Sequence, residues 1–396
     1  MPHFAAIPVA PPDPILGLTE AFKADPNPNK INFGVGVYLD EQGRNTTLRV
    51  VKAAEQRLWE AEPSKNYLPI TGDARYCELT RQLLTAGGTV PAGQASLQTP
   101  GGTGALRVVA DFLAHNLERP TVWISGPTWP NHPKIFGAAG LATKTYRYLD
   151  GESNDLDFEG FIADLQNIPQ GDVVLLHGCC HNPTGIDPTQ EQWLEIAKVL
   201  KARDILAIID LAYQGFGDGL QEDALAVRTL LGAGLELIVC QSFSKNFGLY
   251  NERVGALHLF SAESDSAQRA LSQLKVIVRT NYSNPPAHGA LVVRTILEDV
   301  SLRKQWEEEL TEMRARINGI RTQFVDAMMK SGLSRDFSFL TRQRGMFSLT
   351  GLSLEQVDRL RREDGLYMVG NGRINVAGLT PENLPIAAKS IARVLA

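Results

Sequence analysis

Two hydrophobic periods divide the chain. Between about residues 97 and 259, short apolar runs alternate with stretches whose apolar positions recur by threes and fours. The runs at 122–124, 173–176, 205–209, 235–240 and 254–259 predict buried strands, and stretches such as 191–203 predict the helices between them. Such alternation means βαβ units: an α/β fold with a mostly parallel central sheet and helices on both faces. Outside that block, residues 50–60 predict a helix, and residues 31–38 alternate like a strand carrying Gly34 and Gly36. Residues 301–330 predict the longest helix, with Leu302, Trp306, Leu310, Met313, Ile317, Ile320, Phe324 and Met328 on one face. At 1.5 Å per residue it spans roughly 45 Å, enough to bridge two domains. Asn371-Gly372 predicts a hairpin between two strands.

Residues 1–14 hold five prolines and no periodicity, which predicts an extended arm. Asp13-Pro14 then leads into a short helix with Leu16, Leu18 and Phe22 on its apolar side. The expected organisation is an arm at 1–14, a large domain at 46–314, and a smaller α+β domain from 15–45 and 315–396.

Composition narrows the function classes. The 396 residues are 43% hydrophobic and 21% charged, an ordinary globular profile with a net charge of −5. Nothing in that balance suggests a nucleic-acid surface or a membrane anchor. The N-terminus carries no export or organelle signal pattern. Cys77, Cys179, Cys180 and Cys240 form no C-x-x-C. The expected home is the cytoplasm, with no disulfide framework.

The most informative stretch is Ser242-Phe243-Ser244-Lys245-Asn246-Phe247-Gly248, directly after the run 235–240, with Arg253 eight residues beyond Lys245. A confined lysine can lose its proton and form an imine with a carbonyl compound, while hydroxyls and a guanidinium hold phosphate. Imine plus phosphate is the binding chemistry of pyridoxal 5′-phosphate; read alone, the same stretch also fits a surface lysine in a polar turn. Asp210 closes the run 205–209, from which a carboxylate could pair with a pyridinium nitrogen or merely cap a turn. Tyr213 could donate to the ring's phenolic oxygen or simply pack. A crossover helix is expected between residues 213 and 234.

Thr99-Pro100-Gly101-Gly102-Thr103-Gly104 reads either as a phosphate-binding turn opening a helix or as a plain turn; Arg107 stands where a dinucleotide fingerprint needs its last glycine. His177-Gly178-Cys179-Cys180-His181-Asn182 matches no zinc spacing, so no metal is expected, and Asn182 is the candidate to aim an amide into the site. Trp129, held between Pro127 and Pro130, could stack on a planar ring or fill the core. Arg279 and Arg373 could each clamp a carboxylate.

Together these pieces resemble one family, the class I aminotransferases of pyridoxal-phosphate fold type I, and within it the aspartate and aromatic aminotransferases. The resemblance rests on Asp-Pro-Ile-Leu-Gly-Leu from residue 13, Gly-Gly-Thr-Gly-Ala-Leu from 101, Pro-Thr-Trp-Pro-Asn-His from 127 and Cys-Cys-His-Asn-Pro-Thr-Gly from 179. It continues in Asp-Leu-Ala-Tyr-Gln-Gly-Phe from 210, the run from Ser242 to Gly255, Asn-Tyr-Ser-Asn-Pro-Pro from 281 and Arg-Ile-Asn-Val-Ala-Gly-Leu from 373.

The resemblance implies that Lys245 bonds the cofactor and then shuttles the proton. Asp210 would face the pyridine nitrogen with His132 behind it. Asn182 and Tyr213 would bind the phenolic oxygen, and Trp129 would stack on the ring. Gly102, Thr103, Ser242, Ser244 and Arg253 would hold the phosphate, joined by Tyr67 of a neighbouring subunit. Arg373 would clamp the substrate α-carboxylate, Arg279 of the neighbour the distal carboxylate, and Gly36 would lie beside the substrate. It further implies an obligate homodimer that the arm crosses, dicarboxylic amino acids and 2-oxo acids as substrates, and ping-pong transamination.

Val37, Asn66, Thr103 and Asn284 match the aspartate branch; Leu39 and Asn45 depart from it. Aspartate with 2-oxoglutarate is therefore the expected pair, with tyrosine and phenylalanine as secondary donors. The alternative is an aromatic-amino-acid aminotransferase. A pyridoxal-phosphate lyase or decarboxylase fits less well, since it need not keep both clamping arginines.

Overall fold

A computed structural model describes residues 3–10, 16–333 and 335–395. Residues 1–2 of the expected arm, and 11–15 with the Asp13-Pro14 lead-in, lie outside them; in the described part of the arm Phe4, Ile7 and Val9 are exposed. The short helix that follows is Leu16–Ala24.

The centre is a seven-stranded sheet in the order Gly93–Pro100, Val254–Ser261, Leu237–Ser242, Leu206–Leu211, Val173–His177, Val122–Gly126, Thr143–Arg147. Val254–Ser261 runs antiparallel to both neighbours and every other pairing is parallel. Successive residues serve opposite faces. Val174, Leu176, Ile209 and Val239 join one apolar cluster, while Val173, Leu175, Ile208, Ile238 and Cys240 join the other. Burial on both sides explains why these strands read as unbroken apolar runs.

Two strands of this sheet escaped the sequence reading. Thr143–Arg147 is an edge strand with one buried residue, Tyr146, so no apolar run marks it. Gly93–Pro100 interrupts its apolar residues with glutamine, serine and threonine and buries Gln98 and Thr99.

Three expectations need correction. Residues 31–38 form a strand only at Ile31–Asn32. Beyond it the backbone carbonyls are held by side chains instead of a ladder: Gly34 O by Arg373, and Val35 O and Val37 O by Asn375. The expected crossover helix between 213 and 234 is short, Leu225–Gly232 after a 3-10 turn at Glu222–Ala224, and the rest of the segment is loop. There the Asp223 carboxylate accepts the amides of Gly215, Gly217, Asp218 and Gly219, fixing a non-helical path. Asn371-Gly372 makes a tight turn, but the flanking strands part: Leu366–Tyr367 pairs with Ile31–Asn32, and Arg373–Asn375 pairs with Phe347–Leu349.

The long helix is Val300–Lys330, capped by Asp299. Its Glu309 accepts the amides of Arg49 and Val50, capping helix Arg49–Ala61, whose own N-cap Leu48 has no side-chain acceptor. Its Trp306 stacks on Phe247 at 4.3 Å and donates to Asn246 O at 2.7 Å. The core helix thereby grips the turn next to Lys245.

Candidate active site

A cavity of about 240 Å³ lies where the loops after the parallel strands meet. Asp210 lies in Leu206–Leu211 and the Lys245 loop follows Leu237–Ser242; these strands are hydrogen-bonded neighbours, with Asp210 opposite Cys240. The Lys245 turn is closed by Gly248 N donating to Lys245 O, and Asn246 Nδ2 donates to Gln214 O at 3.1 Å. The Lys245 ammonium lies 4.9 Å from the Tyr213 ring centre. Burial lowers the Lys245 pKa to about 8; Asp210 opposes that shift, while Arg253 and Arg373 add to it.

Asp210 is buried, and burial by itself would raise its pKa. The hydrogen bond from His132, with the charge of Lys245, reverses the sign and holds the carboxyl below its ordinary value. A chain of polar atoms fixes that hydrogen bond. The Asn182 backbone N–H points at His177 Nδ1 (3.5 Å), His177 Nε2 meets Thr128 Oγ1 (3.0 Å), Thr128 Oγ1 meets His132 Nδ1 (2.8 Å), and His132 Nε2 meets Asp210 Oδ2 (3.0 Å). With His177 Nδ1 accepting, its Nε2–H donates to Thr128, the threonine hydroxyl donates to His132 Nδ1, and the His132 proton is directed at Asp210. Burial, reinforced by His132, brings His177 down to about 3, so it stays neutral.

At the other end, helix Gly101–Asn116 starts beside the cavity with no side-chain cap on its first turn. Gly102 and Thr103 line the cavity there with Ser242, Ser244 and Arg253. Ser242 Oγ donates to Ser244 Oγ at 3.2 Å. Arg253 holds a left-handed φ of +56°, and Gly101 facing it has φ +74°. A Cβ on Gly101 would stand 2.5 Å from Arg253 Nη2, so only glycine lets the guanidinium approach the helix end. Free amides, two hydroxyls and a guanidinium are groups that can hold a phosphate.

Arg373, buried, opens a strand and sends its fork between Asn182 Oδ1 (3.2 Å) and Gly34 O (3.1 Å), with its guanidinium 4.1 Å from the Phe347 ring centre. Its Nε is buried without a partner among the described residues. Lys245, Arg253 and Arg373 thus converge on a cavity whose described lining contains one carboxylate, Asp210. That surplus of positive charge suits a phosphate at one end and a carboxylate at the other. With a lysine amine between them and the flat Trp129 in the lining, these residues fit pyridoxal 5′-phosphate and an amino acid.

Gly36, Gly102, Thr103, Trp129, Asn182, Asp210, Tyr213, Ser242, Ser244, Lys245, Arg253 and Arg373 all line the cavity. His132 stands behind Asp210. Tyr67 and Arg279 do not line it: both are exposed on the single chain, and Arg279 bonds Ser283. Leu106, His177, Cys179, Ala212 and Phe347 also line it and had no assigned role. His177 carried one usable signal, as the last residue of a strand whose end pairs with Asp210. Cys179, Cys180 and Asp223 bring potential ligand atoms within 4.8 Å of one another. However, both Asp223 oxygens are engaged by backbone amides, and burial raises both thiol pKa values and keeps the protons on.

The family model for aminotransferases of class I and II matches residues 28–391. The aspartate aminotransferase of Escherichia coli is 52% identical over 395 residues, covering 99% of this chain and all of that protein. The aromatic-amino-acid aminotransferase of Pseudomonas aeruginosa is 49% identical over 399 residues, with both chains fully covered. The crystal structure of an aromatic-amino-acid aminotransferase from Burkholderia pseudomallei, covalently bound to pyridoxal phosphate, superimposes with a TM-score of 0.97 at 47% identity over the full length of both chains.

Proposed function

The chain belongs to the class I and II aminotransferases, and from that premise we propose that it moves the amino group of L-aspartate to 2-oxoglutarate, giving oxaloacetate and L-glutamate. The observation that carries this reading is the convergence of Lys245, Arg253 and Arg373 on one cavity with a single ionised carboxylate, Asp210.

Pyridoxal 5′-phosphate is the cofactor, and when bound it supplies a carbonyl for the amino group and a ring that withdraws electrons from the Cα–H bond. Arg253, Ser242, Ser244 and the first amides of helix Gly101–Asn116 would hold its phosphate. Asp210, kept ionised by His132, would hold a proton on the ring nitrogen. Trp129 would stack on the ring, and Asn182 and Tyr213 would meet its phenolic oxygen. Burial raises the Tyr213 pKa, so its hydroxyl stays a donor.

Lys245 would take the proton from the substrate Cα and return it. With a pKa of about 8, roughly a fifth of the amine is neutral at pH 7.4, against about a thousandth for an ordinary lysine. Arg373 would grip the α-carboxylate, and Gly36 leaves room beside it. We further propose a homodimer in which the exposed Tyr67 and Arg279 of one copy complete the site of the other, Arg279 taking the distal carboxylate. The domain division at residues 14, 45 and 314 belongs to the same reading, with helix Val300–Lys330 crossing it. Among the described residues no helix is long and apolar enough to cross a membrane; four buried, unpaired cysteines suit a reducing cytoplasm.

The test is the visible spectrum of the purified protein with L-aspartate and no 2-oxo acid. Conversion of the bound cofactor to its amine form, at shorter wavelength, is expected. A cofactor spectrum that aspartate leaves unchanged would refute the aspartate reading. Leu39, apolar where the aspartate branch differs, favours a second reading: an enzyme preferring aromatic donors. The ratio of rates with aspartate and phenylalanine decides between the two.

A further inference from the structure

The segment from Phe33 to Asp40 carries Gly36 into the cavity, yet it forms no strand there. Its tethers are uneven. From the C-terminal part of the chain, Arg373 holds Gly34 O, and Asn375 holds Val35 O and Val37 O, both at 2.7 Å. Arg316 of the long helix holds Asp40 O at 2.9 Å and lies over the Tyr38 ring. Toward the cofactor side, the Tyr38 amide donates to the Tyr250 hydroxyl oxygen at 2.8 Å, across 212 positions of sequence. Tyr250 belongs to the loop that begins at Lys245, and its carbonyl accepts from Arg253 Nη1 at 2.8 Å.

We infer that Tyr250 is a positioning residue: its hydroxyl latches the substrate-facing segment at Gly36–Tyr38 to the loop that carries Lys245 and Arg253. This rests on the aminotransferase reading of the site. Tyr250 does not line the cavity and touches no reacting atom, so it acts through the segment it holds. Burial moves the Tyr250 hydroxyl up to about 12 while the Tyr38 amide opposes the shift, so the latch oxygen stays neutral and does not switch with pH near neutrality.

The consequence falls on substrate binding. With the latch closed, the segment is already in place when the amino acid arrives. Without it, binding must also order the segment, and apparent affinity falls by the fraction of molecules that are pre-ordered. Once the substrate is held, Lys245, Asp210 and Arg373 are unchanged and turnover continues.

The experiment uses the holoenzyme and Tyr250→Phe, which removes one oxygen and keeps the ring. KM for both the amino acid and the 2-oxo acid should rise about tenfold, which is ~1.4 kcal/mol, with kcat within about twofold and cofactor affinity unchanged. Amide hydrogen exchange in residues 34–40 should quicken. An unchanged KM overturns the inference, as does exchange that stays at the wild-type rate. A KM increase accompanied by equal losses in kcat and thermal midpoint also overturns it, because that is general damage and not positioning. Failure of the functional reading looks different: the wild type then turns over no amino acid, and the exchange measurement alone decides whether the latch exists.

Discussion

Replacing Thr128 by valine removes one hydroxyl and almost no volume, yet it cuts the polar chain behind Asp210 at its middle. That hydroxyl accepts from His177 Nε2 at 3.0 Å and donates to His132 Nδ1 at 2.8 Å. Both histidines are buried, and their ring centres lie 5.1 Å apart in an edge-on arrangement, so neither can close the gap directly. One donor and one acceptor therefore lose partners, at about 1–3 kcal/mol each. The expected loss is roughly 2–6 kcal/mol. With an unfolding entropy of about 0.8 kcal/mol/K for a chain of this length, the thermal midpoint should fall by about 3–7 °C.

The chemical consequence follows from the tautomer. Without the threonine hydroxyl donating to Nδ1, the Asp210 carboxylate alone favours the His132 proton on the nitrogen facing it. The interaction that holds the Asp210 carboxyl below its ordinary value weakens, and burial pulls the pKa upward. Asp210 is needed as an anion, so the acid limb of the kcat/KM profile should move to higher pH. Thr128→Ser keeps the hydroxyl and should keep the wild-type profile. The assay is steady-state transamination from pH 5 to 9, paired with a melt. A valine variant whose acid limb coincides with that of wild type would falsify the relay.

Four other perturbations test separate parts of the site. Arg373→Lys replaces a planar fork with a point charge, so KM for the amino acid should rise about 100-fold in steady-state assays, while kcat changes far less. Gly101→Ala forces a Cβ against Arg253 Nη2 and a residue with side chain into φ +74°; cofactor affinity, measured by titration into cofactor-free protein, should drop more than about tenfold. In the cofactor-free protein the Lys245 pKa of about 8 lies below the unfolded lysine value of ~10.4, so the unfolded chain binds more protons between those limits and stability should rise with pH across that window, by at most roughly 3 kcal/mol; urea midpoints against those of Lys245→Met check the sign. Mixing Lys245→Ala with Arg279→Ala chains should restore activity on aspartate that neither has alone, as expected if each site draws on two copies.

What the sequence disclosed follows from where its information lies. The parallel strands buried on both faces announce themselves because both faces are apolar, and Lys245, Asp210 and Asn182 could be placed at their ends from the chain alone. Thr143–Arg147 could not, since an edge strand that buries only Tyr146 has no hydrophobic signature. The path of residues 33–40 was equally hidden, because its order comes from Arg373, Asn375 and Arg316, residues roughly 280 to 340 positions away. Thr128 illustrates the same limit at the site. A threonine between two histidines is meaningful only once His132 and His177, from different strand ends, face it together. Phe347 was visible as an apolar residue, but not as the surface beneath the Arg373 guanidinium.

The charges in the cavity are coupled, and the coupling has a direction. Burial, Arg253 and Arg373 lower the Lys245 pKa, while Asp210 alone raises it. A phosphate on Arg253 and a carboxylate on Arg373 would neutralise the two cationic contributions, and a protonated ring nitrogen would neutralise that of Asp210. Burial, the largest cause, is the contribution that remains, so the amine stays less basic than an ordinary lysine with the cavity empty or filled. That favours the neutral amine needed both to attack a carbonyl and to take a proton from the substrate. Replacing either arginine by a neutral residue would raise the Lys245 pKa of the empty cavity, because one of the two cationic contributions is gone.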